Sequence, residues 1–148
     1  MTSKTPIGHI DIRVFAHATE DTDKVLNAVR NTLPKGLSEN TNFKKTKLTG
    51  HHGNPIILFE TRLTDKNVLP TVLQNITSSL SSLDKELLNN EIKDHLKKGN
   101  LYLRLDKQSA CLDEIKLATT DPIHFKIHFK NRSTEEIIEI CGKTGLPP

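Results

Sequence analysis

Three stretches of the chain alternate cations and imidazoles with apolar residues, and cations held at that spacing can bind phosphate. Between Ile7 and Ala18, His9, Asp11, Arg13 and His17 fall on one parity and Ile10, Ile12, Val14 and Ala16 on the other. Tyr102 and Arg104 alternate with Leu101, Leu103 and Leu105, and His124, Lys126, His128 and Lys130 alternate with Ile123, Phe125, Ile127 and Phe129. On a strand, successive side chains point to opposite faces. One face therefore gathers Arg13, Arg104, Lys126 and Lys130 with His9, His17, His124, His128 and Tyr102, against only Asp11 and Asp106. Phosphate oxygens are bound by fixed cations and by hydroxyl or amide donors, and a shallow polar sheet suits the wide minor groove or the splayed loops of folded RNA. Lys44, Lys45 and Lys47, beside the His51-His52 turn, extend such a patch. The competing reading is a solvated strand face whose lysines deter edge pairing.

Other chemistries find less support. Seven histidines invite a metal, but His51 and His52 are adjacent and diverge on a strand. His124 and His128 lie about 13 Å apart along one, too far for a shared ion, so a chelate needs a cross-strand partner such as His9 or His17. Cys111 and Cys141 are isolated, which argues against a disulfide framework or structural zinc and fits a reducing compartment. There is no GxSxG elbow and no GxxxxGK or GxGxxG loop, so neither a nucleophilic nor a nucleotide-driven enzyme is expected, and no cofactor, metal or catalytic residue is assigned. Tyr102 can stack on a base, but at 4% aromatics the ring set of the common RNA-recognition sheets is missing. Recognition by backbone and shape is expected in its place.

The positioning elements follow from local signals. Thr19-Glu20-Asp21-Thr22-Asp23 suits a helix N-terminus, and Val25, Leu26, Val29 and Leu33 follow at helical spacing until Pro34 and Gly36. Thr41 to Leu63 reads as a hairpin around Gly50-His51-His52-Gly53-Asn54-Pro55. Asn67 is placed to cap a helix with Pro70 in its first turn and a stripe of Leu69, Val72, Leu73, Ile76 and Leu80, ending in Ser78 to Ser82. A second helix is expected to carry Leu83, Leu87, Leu88, Ile92 and Leu96, with Lys97 and Lys98 in its last turn and Gly99 as its stop. The two are expected to form an antiparallel pair or a bent arm. Ser133-Thr134-Glu135-Glu136 has the capping-box form ahead of Ile137, Ile138 and Ile140, with Gly142 as the end and a loosely held tail to Pro148.

At 148 residues, 34% hydrophobic, the chain is the size of one domain with a thin, two-layer core. A single domain over 1–148 is expected, with an ordered core of about 7–142. The net charge of +3 means that an anionic partner must be met by a local patch. No apolar run approaches a membrane span and Met1 to Pro6 lacks a signal-peptide stretch, which predicts a soluble, cytoplasmic protein. Clean alternation predicts an α+β fold, a mixed or antiparallel sheet with helices packed on one face and an open polar, basic face.

His17-Ala18-Thr19-Glu20-Asp21 leading into Lys24-Val25, Gly50-His51-His52-Gly53-Asn54-Pro55-Ile56, and Gly99-Asn100-Leu101-Tyr102-Leu103-Arg104-Leu105-Asp106-Lys107-Gln108 carry a resemblance. Together they resemble an archaeal family of small predicted RNA-binding proteins that bears a label of exosome association. The family fold is similar to that of the large-subunit ribosomal protein that binds 5S ribosomal RNA. The resemblance spans residues 7 to 130 and implies RNA binding, no catalytic residues, and helices on one face of a sheet. Under it, Gly50, Gly53 and Asn54 let backbone amides approach a phosphate, with His51, His52, Arg104, Lys107 and Gln108 as side-chain donors. Equally, Gly-Asn-Pro shapes a hairpin, and Asp106 to Gln108 form a hydrogen-bonded strand exit.

The resulting expectation is a non-enzymatic protein that recognises structured RNA, with ribosomal RNA among the candidates, within an exosome-associated or ribosome-associated assembly. Its candidate RNA contacts are Arg13, Lys44, Lys45, Lys47, His51, His52, Arg104, Lys107, Gln108, Lys126, His128 and Lys130. The alternative is an interaction or homodimerisation module using the leucine-striped helices, and a histidine-based metal-dependent hydrolase is the least favoured.

Overall fold

The computed structural model describes residues 7–37, 41–50, 52–130 and 132–143. Each run of period-two apolar residues forms a strand: β1 (Ile7–Ala16), β5 (Asn100–Leu105) and β6 (Ile123–Phe129), with the hairpin β2 (Lys44–Thr49) and β3 (Pro55–Leu63) and a short β4 (Leu96–Lys97). They make one six-stranded sheet in the order β2-β3-β1-β6-β5-β4. Every neighbouring pair is antiparallel. The first and last strands meet at its centre, with Ile10 opposite Ile127 and Ile12 opposite Phe125.

The helices α1 (Thr22–Asn31), α2 (Leu69–Ser79), α3 (Ser82–Asn90), α4 (Lys107–Cys111) and α5 (Thr134–Lys143) supply the second layer. Ile10, Ile12 and Val14 of β1, Leu101 and Leu103 of β5, and Phe125 and Ile127 of β6 are buried in one cluster with Val25 and Val29 of α1 and Leu69, Val72, Leu73 and Ile76 of α2. Each such side chain contributes about 1.5–3 kcal/mol by leaving water. Polar ties hold the helices in register with one another. Asn31 Nδ2 donates to the Ala110 carbonyl and Asn75 Nδ2 to that of Thr32, each at 2.9 Å. The expected α+β architecture, with helices on one face and the other left open, is the observed one.

Local caps account for the helix starts. Asp21 accepts from the Asp23 amide, Ser81 from Asp84 and Asp106 from Ser109. Ser133 and Glu136 close a reciprocal capping box at 3.1 and 3.2 Å. Three expectations are corrected. Asn67 does not cap α2: its amide donates to Asp65 Oδ1, and the helix opens after Val68 with no side-chain cap. The long second helix ends at Asn90. A single 3-10 turn, Ile92–His95, then leads into β4, and Lys98 (φ 52) and Gly99 (φ 80) turn the chain into β5. Two successive positive φ values define a primed hairpin turn, and a glycine in that turn looks in sequence like one that ends a helix. Gly142, expected as a stop, lies inside α5.

The leucine stripe divides accordingly. The α2 side chains are buried, as are Leu88 and Ile92, whereas Leu83 and Leu87 of α3 are 75% and 45% exposed.

Candidate functional site

Register decides which residues share the uncovered face. Reading across the sheet, one row is Lys44, Glu60, Arg13, His124 and Arg104. The next is Arg62, Asp11, Lys126 and Tyr102, and a third is His9, His128, Asn100 and Lys97. Arg13, Lys44, Glu60 and Arg62 with Tyr102, His124 and Lys126 line an open hollow of about 620 Å³. Asp11 takes a two-point contact from Arg62, at 2.7 and 3.1 Å, so the acid is neutralised within the face. No carboxylate of the described residues forms an ion pair with Arg13, Lys44, Arg104 or Lys126. Arg13, Lys44 and Lys126 are thus held on rigid strands around one concavity, with Arg104 beside it.

Lys130 continues the face past the end of β6, and its stem lies across Gly8, where an added Cβ would come within 3.0 Å of Lys130 Cγ. Lys98, Lys130 and Arg132 border a smaller hollow of about 380 Å³ beside His128.

The histidines of the face are paired as rings. His9 stacks on His128 with centroids 4.8 Å apart, and Tyr102 on His124 at 5.8 Å. His128 Nδ1 donates to Asn100 Oδ1 at 2.8 Å. Burial lowers the pKa of His124, and the charges of Arg104, Arg13 and Lys126 push it further down. Burial also lowers that of His9, with the Arg62 charge, against the opposing pull of Asp11. Both imidazoles are therefore neutral at pH 7, and the positive charge of the face rests on lysine and arginine. Burial by itself would raise the Asp11 carboxyl, but the Arg62 hydrogen bond and charge outweigh it and hold the group below its ordinary value.

Several sequence-nominated residues lie elsewhere. Lys45 and Lys47 pair with Phe59 and Ile57, so they project from the opposite side of β2, and only Lys44 joins the face. Lys107 is 5% exposed. Its ammonium donates to the Phe15 carbonyl at 2.7 Å, to Glu20 at 3.0 Å and to Asp121 at 2.8 Å, which saturates its three donors. It is a strut between the end of β1 and the loop before β6, not a ligand donor. Gln108 is exposed on α4, off the sheet, and His52 is exposed in the β2–β3 turn. His51 lies outside the described residues. His17 falls beyond β1 and bonds Asp121 at 3.0 Å, and Asp106 caps α4. The Gly50 amide donates to the Asn54 carbonyl and the Gly53 amide to that of Gly50, so both build the turn.

His17, Glu20 and Asp121 bring one ligand atom each within 4.8 Å of one another, a grouping spread too widely in sequence to be noticed there. The Lys107 ammonium already bridges the two carboxylates, so these donors are committed to a lysine. Arg62, Glu60 and Phe15, with Asn100 and Lys97, are face residues that sequence reasoning missed. Parity within β1 marks Phe15, but the β3 pair needed a register that no local window contains.

Architecture and surface together describe a single α+β domain that turns one basic, uncovered sheet face to solvent. Residues 9–129 match the family model described as RNA binding, and the chain belongs to that family. It is 33% identical over 133 residues to the RNA-binding protein PAB1135 of Pyrococcus abyssi, covering 88% of this chain and 86% of that one. The structure of SSO0741 from Sulfolobus solfataricus superposes with a TM-score of 0.76 at 28% identity, covering 91% of this chain and 95% of that one. Mth689, a DUF54 protein from Methanothermobacter thermautotrophicus, gives 0.72 at 27%, covering 93% and 97%. No helix among the described residues is long and apolar enough to cross a membrane.

Proposed function

We propose that the protein binds structured RNA through the uncovered face of its sheet, by contacts to phosphates and to the shape of the fold, without a catalytic step of its own. The observation that carries this reading is the ring of Arg13, Lys44, Arg62 and Lys126 around one shallow hollow, with Arg104 beside it, in a chain of an RNA-binding family. Strands hold the backbone attachment points of these cations at fixed separations, so little backbone freedom is lost on meeting a phosphate backbone, and condensed counterions are released. Lys126→Glu combined with Lys130→Glu is expected to weaken RNA binding and to flatten its salt dependence by roughly one unit of slope for each phosphate no longer neutralised. Binding indistinguishable from the unmodified protein across a salt series would remove the face from the reading.

The resemblance in sequence supports a cytoplasmic, exosome-associated or ribosome-associated setting, with RNA and the proteins of that assembly as partners. Affinity purification with and without ribonuclease tests it, and recovery of neither ribosomal nor exosome components would count against it. A second reading, a homodimer, is favoured by the exposure of Leu83 and Leu87 on one side of α3. Light scattering over a concentration series that shows a monomer throughout would dismiss it.

A further inference from the structure

The uncovered face carries a line of rings as well as cations. Tyr102 of β5 stacks on His124 of β6 at 5.8 Å between centroids, with the planes 26° apart. His124 sits opposite Arg13 of β1. Phe15, two residues further along β1 on the same face, is therefore the diagonal neighbour of His124, at the roughly 7–8 Å across which aromatic side chains still meet. Phe15 is 37% exposed, and Leu58 lies opposite it on β3, extending the apolar floor. Arg13 and Arg104 flank His124 from the two adjoining strands. A diagonal of ring, ring, ring bordered by two guanidiniums is thus laid across three strands.

Phosphate binding alone has no use for that diagonal. Bases within a helix are already stacked on each other, whereas unpaired bases of loops and bulges present open π-faces to aromatic side chains. Resting on the reading that this face meets RNA, we infer that it takes unpaired nucleotides of a loop or bulge, with bases along Phe15, His124 and Tyr102 and phosphates on Arg13 and Arg104. The neutral His124 imidazole is suited to this, since a flat uncharged ring can sit in the stack while the guanidiniums carry the charge. Such stacking runs against the expectation drawn from the low aromatic content, since few rings suffice when register aligns them.

The test uses the full chain, a hairpin RNA with 2-aminopurine in an adenine- and uridine-rich loop, and the same stem as a blunt duplex. The hairpin is expected to bind about tenfold or more tightly than the duplex, with a change in 2-aminopurine emission as the loop base stacks. Phe15→Ser and Tyr102→Leu should each cost at least about fivefold for the hairpin, and more than they cost for the duplex. Equal, salt-sensitive binding of both RNAs with unchanged 2-aminopurine emission would overturn the inference while leaving RNA binding by the face intact. Failure to bind either RNA would overturn both. If a variant does not fold, the loop emission and the hairpin-to-duplex ratio of the unmodified protein still decide.

Discussion

Lys107 shows how burial converts a cation from a ligand donor into a strut. Its three acceptors, Phe15 O, Glu20 and Asp121, come from three segments, and removing the ammonium leaves two carboxylates facing each other. Lys107→Met is expected to lower stability by about 1–3 kcal/mol in urea unfolding, with RNA affinity within twofold. An affinity loss at unchanged stability would contradict the assignment. The histidines give a pH dependence whose sign differs between folding and binding. His9 and His124 both have pKa values lowered from 6.5, so the unfolded chain takes up these protons first. Their contribution to stability is complete above that value and is lost as pH falls through the lowered values of the folded state. Bound phosphates favour the imidazolium, so RNA affinity should rise as pH falls from about 7.5 to 5.5. His9→Gln should flatten that rise, and an unchanged profile would show that the His9 ring does not meet phosphate.

At the level of secondary structure, parity within β2 separates residues that composition lumps together. Lys44→Ala should reduce the salt slope of RNA binding by about one, whereas Lys45→Ala with Lys47→Ala should leave it unchanged, because those side chains project from the other side of the strand. The opposite pattern would mean that RNA lies against the helix side of the hairpin. The β4–β5 turn rests on a different constraint. Gly99 has φ +80, and an added Cβ would lie 3.4 Å from the Phe129 carbonyl. Gly99→Ala is therefore expected to cost about 1 kcal/mol or slightly more, measured as a lower urea midpoint at constant slope.

Across the domain, the central pairing of β1 with β6 joins opposite ends of the chain, so the uncovered face exists only once the complete sheet has closed. The helices and sheet share one buried cluster, which predicts a single cooperative transition with coincident near- and far-ultraviolet signals. Leu103→Ala, at a fully buried position of β5, should cost about 2–5 kcal/mol. Separate transitions for the two signals would indicate that the hairpin β2–β3 unfolds on its own. Pairing over such sequence distances also implies slow folding for a domain of this size.

The chain's own pattern was enough for whatever depends on neighbours within a turn or along a strand. Ile10, Ile12 and Val14, Leu101, Leu103 and Leu105, and Ile123, Phe125, Ile127 and Phe129 are all buried as their alternation requires. Asp21 and Ser133 stand at the helix starts that their hydroxyl and carboxyl chemistry marks. The basic character of the open face was legible for the same reason in Arg13, Arg104 and Lys126. It took the folded sheet to pair Asp11 with Arg62, to line Phe15 up with His124 and Tyr102, to enclose Lys107, and to make Lys98-Gly99 the turn of a hairpin. Each depends on which strand lies beside which, and in what register. That choice is made by non-local packing of buried faces, so no local stretch of sequence contains it.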